Sequence, residues 1–193
     1  FKQEIRRWPE FTVCVAYAVF GGSNQNIRTY ATCSDDFGAE GTWSNPRQIS
    51  QSVSGGLDQG LSIAAKGDNV LYIARRFDSG DGDAIIGSIA KDRGYRPGKV
   101  FEITDVCPFD QQTAPSLENP DKASVRSLGF PWVSATDSHF VLAYVDRPRD
   151  ALGNCFPSYE GITGVGGTRV MLRTSTDGRK WSDPVPVLPF ENQ

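Results

Sequence analysis

Short runs rich in β-branched and aromatic residues, separated by clusters of Gly, Asn, Asp and Ser, recur along the whole chain, and few segments show Leu-rich helical periodicity. Residues 12–20 (TVCVAYAVF) stop at Gly21-Gly22-Ser23-Asn24 and residues 27–33 (IRTYATC) resume, which predicts a β-hairpin. Residues 45–50 (NPRQIS) add a short strand behind a proline, as suits a sheet edge. After a Ser/Gly-rich connection over 51–57, residues 60–65 (GLSIAA), a turn at 66–69 and residues 70–77 (VLYIARRF) predict a second hairpin, which 84–90 (AIIGSIA) and 99–103 extend. A third group comprises 129–135 (GFPWVSA), 140–146 (FVLAYVD), 168–174 (TRVMLRT) and 184–188. Two long polar segments, 104–128 and 147–167, interrupt the pattern.

Each group carries a related marker between its last two strands. The clearest is 175–182 (STDGRKWS), built on Ser175, Asp177, Gly178 and Trp181; Ser34, Asp36, Gly38 and Trp43 form a first copy, and Asp92 and Gly94 an eroded second. Such residues explain themselves structurally: Ser and Asp accept backbone N–H groups inside a turn, Gly supplies positive φ, and Trp packs between sheets. Units of about 40–50 residues with four strands each predict an all-β fold, a partial β-propeller of about three four-stranded antiparallel blades. The blades would span about 7–50, 58–103 and 129–188 within one domain over 1–193. A plain antiparallel sandwich with chance internal similarity is the alternative.

Composition supports the β reading: the 193 residues include 20 Gly and 12 Pro with 11 Phe, 6 Tyr and 4 Trp. The net charge of −3 gives no electrostatic reason to expect nucleic acid or an anionic membrane. No apolar run approaches the roughly 20 residues needed to span a bilayer as a helix. The chain begins with Phe1, which reads as a processed product or a piece of something longer.

Cys14, Cys33, Cys107 and Cys155 show no zinc-like spacing, and His139 is the single histidine. Cys14 and Cys33 sit on runs that pair across one turn and could face each other; Cys107 and Cys155 lie in polar loops. Disulfides and four isolated thiols both fit this pattern. No cofactor is expected, although Asp78, Asp81 and Asp83 alternate in a way that could surround calcium. A solvated turn is the simpler reading of that loop.

The Ser-x-Asp-x-Gly-x-x-Trp markers, with residues 59–64 and 72–77, resemble the Asp-box (BNR) repeats of the sialidase (neuraminidase) superfamily, of bacterial secreted type; Val125-Arg126-Ser127, Phe130-Pro131 and Tyr144 extend the likeness. The resemblance implies a sialidase-like propeller acting outside the cytoplasm, extracellular or periplasmic, as a glycan- or protein-binding module. Its alternatives are a portion of an exo-α-sialidase and a structural subunit of a surface assembly. It also implies that the remaining blades come from missing chain or another subunit. Arg7-Trp8-Pro9 sits where the family's Arg-Ile-Pro would, but the acid/base loop over 21–26 (GGSNQN) has no Asp or Glu. Tyr159 and Glu160 are adjacent only within a long loop, so catalytic residues are unassigned. Arg7, Arg75, Arg76, Arg126 and Arg147, at strand ends, are candidates for an anion-binding mouth, with salt bridges to neighbouring Asp residues as the alternative.

Overall fold

The computed structural model describes residues 12–21, 27–51, 56–78, 83–107, 129–155 and 169–187. The first sheet has the order β1-β2-β3, formed by Val13–Phe20, Ile27–Ser34 and Arg47–Gln51. The second contains β4 (Gly56–Lys66), β5 (Asn69–Asp78), β6 (Asp83–Lys91), β7 (Arg96–Pro97) and β8 (Phe101–Val106), with β7 and β8 sharing the free edge of β6. The third runs β12-β11-β10-β9, from Val185–Pro186, Arg169–Ser175, Phe140–Asp146 and Trp132–Ala135. Every ladder is antiparallel.

The second sheet is the middle layer. On one face Leu71, Ile73 and Ile85 join Val133, Phe140, Leu142 and Tyr144 of the third sheet in the main core. On the opposite face Val70, Tyr72 and Ala90 pack with Ala31 and Ile49 of the first sheet. Successive residues of a strand point to opposite faces, so a strand covered on both sides must be apolar at nearly every position. That is why 70–74 reads as VLYIA without a polar break, and why all five residues are buried.

The expectation of a partial propeller is corrected here. The chain forms three sheets of three, five and four strands, all open, and none is closed or curled into propeller blades. Local apolar patterning dictates which neighbouring runs pair; whether the sheets then curl round an axis or stack depends on contacts between sheets, which the pattern does not encode. The strand count differs too: β7 and β8 divide one edge of β6, and β4 extends back into the Ser/Gly-rich connection. The extension is made possible by a bulge, where the β4–β5 register shifts between Gln59 and Ser62 around Gly60, at φ +67°.

Two disulfides are formed, one within the first sheet and one between the segments that follow β8 and β10. Cys14 and Cys33 are directly opposed on β1 and β2, with Cα atoms 4.1 Å apart. Cys107, just after β8, is joined to Cys155 across 48 positions. These bonds suit an oxidising, non-cytoplasmic compartment. Among the described residues no helix is long and apolar enough to cross a membrane.

Candidate functional site

The marker residues build turns. Ser175 Oγ accepts from the Gly178 N–H at 2.8 Å, Asp177 Oδ1 accepts from the Arg179 and Lys180 N–H groups at 2.8 Å each, and the Trp181 indole donates to Gly178 O at 3.0 Å. The N–H groups of Lys180 and Arg179 hold the Asp177 carboxyl below its ordinary pKa. In the first copy Ser34 Oγ accepts from Asp36 and Gly38, and Trp43 donates to Gly38 O at 3.1 Å. The middle copy is a single 3-10 turn over Asp92–Gly94, in which Asp92 and Arg93 also hold positive φ. Ser34, Trp43, Ser175, Asp177 and Trp181 thus bond the backbone of their own turns, whereas Asp92 pairs with Arg96.

The candidate arginines are placed as follows. Arg75 is nearly fully buried: its Nε and Nη2 donate to Asp83 Oδ2 at 2.9 and 2.7 Å, Nη2 also to Cys107 O at 3.0 Å, and Nη1 to Gly129 O at 3.2 Å. Arg76 makes a two-pronged pair with Asp58 across the β4–β5 ladder, at 2.7 and 2.9 Å, and Asp58 is fully buried. Arg147 follows Asp146, whose Oδ1 accepts from the backbone N–H groups of Arg147 and Cys107. Arg7, Arg126, Asp81, Tyr159 and Glu160 lie outside the described residues, as do 22–26 of the loop that the resemblance marks for an acid/base. Asp83, one of the three carboxylates considered for calcium, faces the Arg75 guanidinium instead of a free loop. Among the described residues no group of three His, Cys, Asp or Glu could hold a metal ion.

The chain matches no family model and no curated protein. The resemblance to the Asp-box sialidases is therefore not sustained, neither by sequence comparison nor by the open sheets. With it go the readings that rested on it: a sialidase-like propeller acting as a glycan- or protein-binding module, a portion of an exo-α-sialidase, and a structural subunit of a surface assembly of that type. A Ser–Asp–Gly–Trp turn satisfies its own hydrogen bonds, so local turn chemistry is enough to account for its recurrence.

The feature that motif reading missed lies on the outer face of the third sheet. The inner face of that sheet carries Val133, Phe140, Leu142 and Tyr144; the alternate residues Trp132, Val141, Ala143, Val145, Val170 and Leu172 point outward, with Ser134 and Thr174 flanking Val141 at one end. Trp132 is 73% exposed and Val170 47%, and Val185 and Val187 at the sheet edge are also exposed. A cleft of about 430 Å³ opens on this face, bounded by the Gly60–Leu61 bulge of β4, Phe130, Trp132, Val145 and Val170. Ser62 Oγ accepts the Val133 N–H at 3.0 Å and so ties the bulged strand to β9 at the floor of the cleft. The sequence signal was present in FVLAYV and RVML, which are apolar at successive positions and thus ask for cover on both faces.

A second cavity, about 550 Å³, lies at the junction of the first two sheets, lined by Cys14, Ile63, Asp68 and Arg93 among others. Beside it Tyr72 Oη donates to Gly94 O at 3.1 Å, and burial pushes the Tyr72 pKa up to about 12. The folded chain therefore holds the Tyr72 proton over a range where the unfolded chain, near 10, has lost it. Stability from this group is intact below about pH 10, falls as pH rises from there, and the loss levels off above about pH 12. Urea midpoints measured from pH 8 to 12 should show this decline and a shallower one in Tyr72→Phe. Tyr95, also shifted upward by burial, would account for part of the residual slope.

Proposed function

We propose that the chain is an extracytoplasmic interaction module, extracellular or periplasmic, that binds a protein through the outer face of its third sheet. The observation carrying this reading is that face itself: a largely exposed Trp132, with Ala143, Val145, Val170 and Leu172 beside it, next to a cleft of ligand size. Large exposed apolar patches on soluble proteins mark contact sites, because leaving them in water forfeits about 25 cal/mol per Å². Aromatic anchors set in such patches dominate binding energy. A protein fits the lining better than a glycan does: apolar side chains form the cleft walls, and the hydroxyl at its floor, on Ser62, already accepts a backbone N–H. The outer face of the first sheet, where Val13, Val15 and Val19 flank the stacked Tyr17–Tyr30 pair, is a second surface on which further polypeptide, from the same chain or another subunit, would pack.

The test uses the purified protein and the variants Trp132→Ser and Val170→Asp. Light scattering across a concentration series and binding of an apolar fluorescent dye to the folded protein should both fall several-fold in the variants. Because both side chains point outward, melting temperatures should move by no more than about 2–4 °C. A wild-type protein that neither associates nor binds dye, and that the variants leave unchanged, would sink the reading.

A further inference from the structure

We propose that the Cys14–Cys33 disulfide is a reducible latch on the junction between the first and second sheets, opened by an external dithiol that enters through the cavity beside Cys14. This concerns the opposite side of the middle sheet from the apolar cleft and does not depend on what that cleft binds.

Access is asymmetric. Cys33 is completely buried, whereas Cys14 is half-buried and lines the 550 Å³ cavity together with Arg93. An attacking thiolate therefore reaches the Cys14 sulfur. The Cys14–Cys33 bond breaks, Cys33 leaves as a thiolate and takes up a proton, and a mixed disulfide forms between Cys14 and the reductant. The second thiol of the reductant then attacks its own sulfur in that mixed disulfide and releases Cys14. Two cysteine thiols are gained and the dithiol is oxidised to its disulfide, a balanced two-electron exchange.

The reduced pair has polar partners already in position. Cys14 Sγ lies 3.4 Å from the Arg93 carbonyl oxygen, an acceptor for a new S–H donor, and Cys33 Sγ lies 3.8 Å from Tyr72 Oη. The Tyr72 hydroxyl donates to Gly94 O, so its oxygen is left to accept from the Cys33 thiol. Each thiol of the reduced pair thus has an oxygen within hydrogen-bonding reach.

Reduction acts on the junction through Gly94. A Cβ on this glycine would fall 2.7 Å from Cys14 Sγ and 2.9 Å from Cys33 Sγ, so the turn over Asp92–Gly94 rests directly on the two sulfurs. Once unbonded, the sulfurs must separate to van der Waals distance. Cys14 can move into the cavity; otherwise the pair presses on the turn. That turn is held in a strained backbone, because Asp92 and Arg93 both hold positive φ. Its ties to the sheets include Arg93 N–H to Asp68 O at 3.0 Å, the Arg93–Asp35 ion pair and the Tyr72 bond to Gly94 O.

Wild-type protein is treated with graded dithiothreitol, alkylated with iodoacetamide, and mapped by mass spectrometry, with amide exchange followed in parallel. Cys14 should alkylate roughly tenfold faster than Cys33, and exchange over residues 92–95 should rise while the turn over 175–181 keeps its protection. Cys14→Ser/Cys33→Ser should show the raised exchange without reductant. The latch is refuted if Cys107–Cys155 opens while Cys14–Cys33 stays intact under native conditions, if both cysteines alkylate at equal rates, or if exchange over 92–95 is unchanged in the reduced protein and the double variant.

Discussion

Asp83→Ala is expected to lower stability by about 3–5 kcal/mol, since it leaves the Arg75 guanidinium buried without its counter-charge. At roughly 2–4 °C per kcal/mol for a chain of this size, the melting temperature should fall by about 10 °C. Arg75 and Asp83 are 4% and 3% exposed, and the guanidinium also ties Cys107 and Gly129 to the second sheet through their carbonyl oxygens. Those carbonyls can accept hydrogen bonds but cannot neutralise the cation. The informative comparison is Arg75→Met/Asp83→Leu, which removes both charges and replaces them with apolar volume. It should recover most of the loss in calorimetry. If Asp83→Ala alone costs less than about 1 kcal/mol, Arg75 is not the desolvated hub of this junction.

Gly60→Ala is the second large effect. Gly60 holds φ +67°, which costs an L-residue about 1–2 kcal/mol. Its new Cβ would also fall 2.1 Å from Phe130 Cδ1, 2.4 Å from Cγ and 2.7 Å from Cβ. Contacts that close to the root of a side chain cannot be relieved by a small rotation, so Phe130 must leave the cleft wall or the bulge must flatten. A total loss of about 3 kcal/mol follows from strain plus overpacking, read as a lower urea midpoint together with weaker dye binding at the cleft. Gly60→Ala/Phe130→Ala should fall short of the sum of the two single losses, because the clash vanishes and only the backbone strain and the missing ring remain.

Both effects concern residues that the pattern of the chain marked for other reasons. Arg75 and Arg76 stood out as cations at a strand end, and only the fold shows the carboxylates of Asp83 and Asp58 against them. Gly60 began a short run and gave no hint of the bulge that bounds the cleft. Trp132 sat in an obvious strand, yet its exposure depends on which face of β9 meets the second sheet. A one-residue change of register would bury it and expose Val133.

Taken alone, the order of apolar and polar residues determined that the chain is all-β and where most strands and turns fall. Backbone pairing and side-chain alternation are local consequences of residue type, and turn residues carry their own hydrogen-bonding logic. Tertiary structure alone decided how the sheets stand to one another. Three recurrent units suggested blades of a ring, while the contacts stack two open sheets on opposite faces of a third. Those contacts depend on pairings tens of residues apart, such as Arg75 with Gly129 and Lys66 with the Ser138 and Thr176 carbonyls. They are also what leave one face of the third sheet uncovered around Trp132, and set Gly94 upon the disulfide that joins β1 to β2.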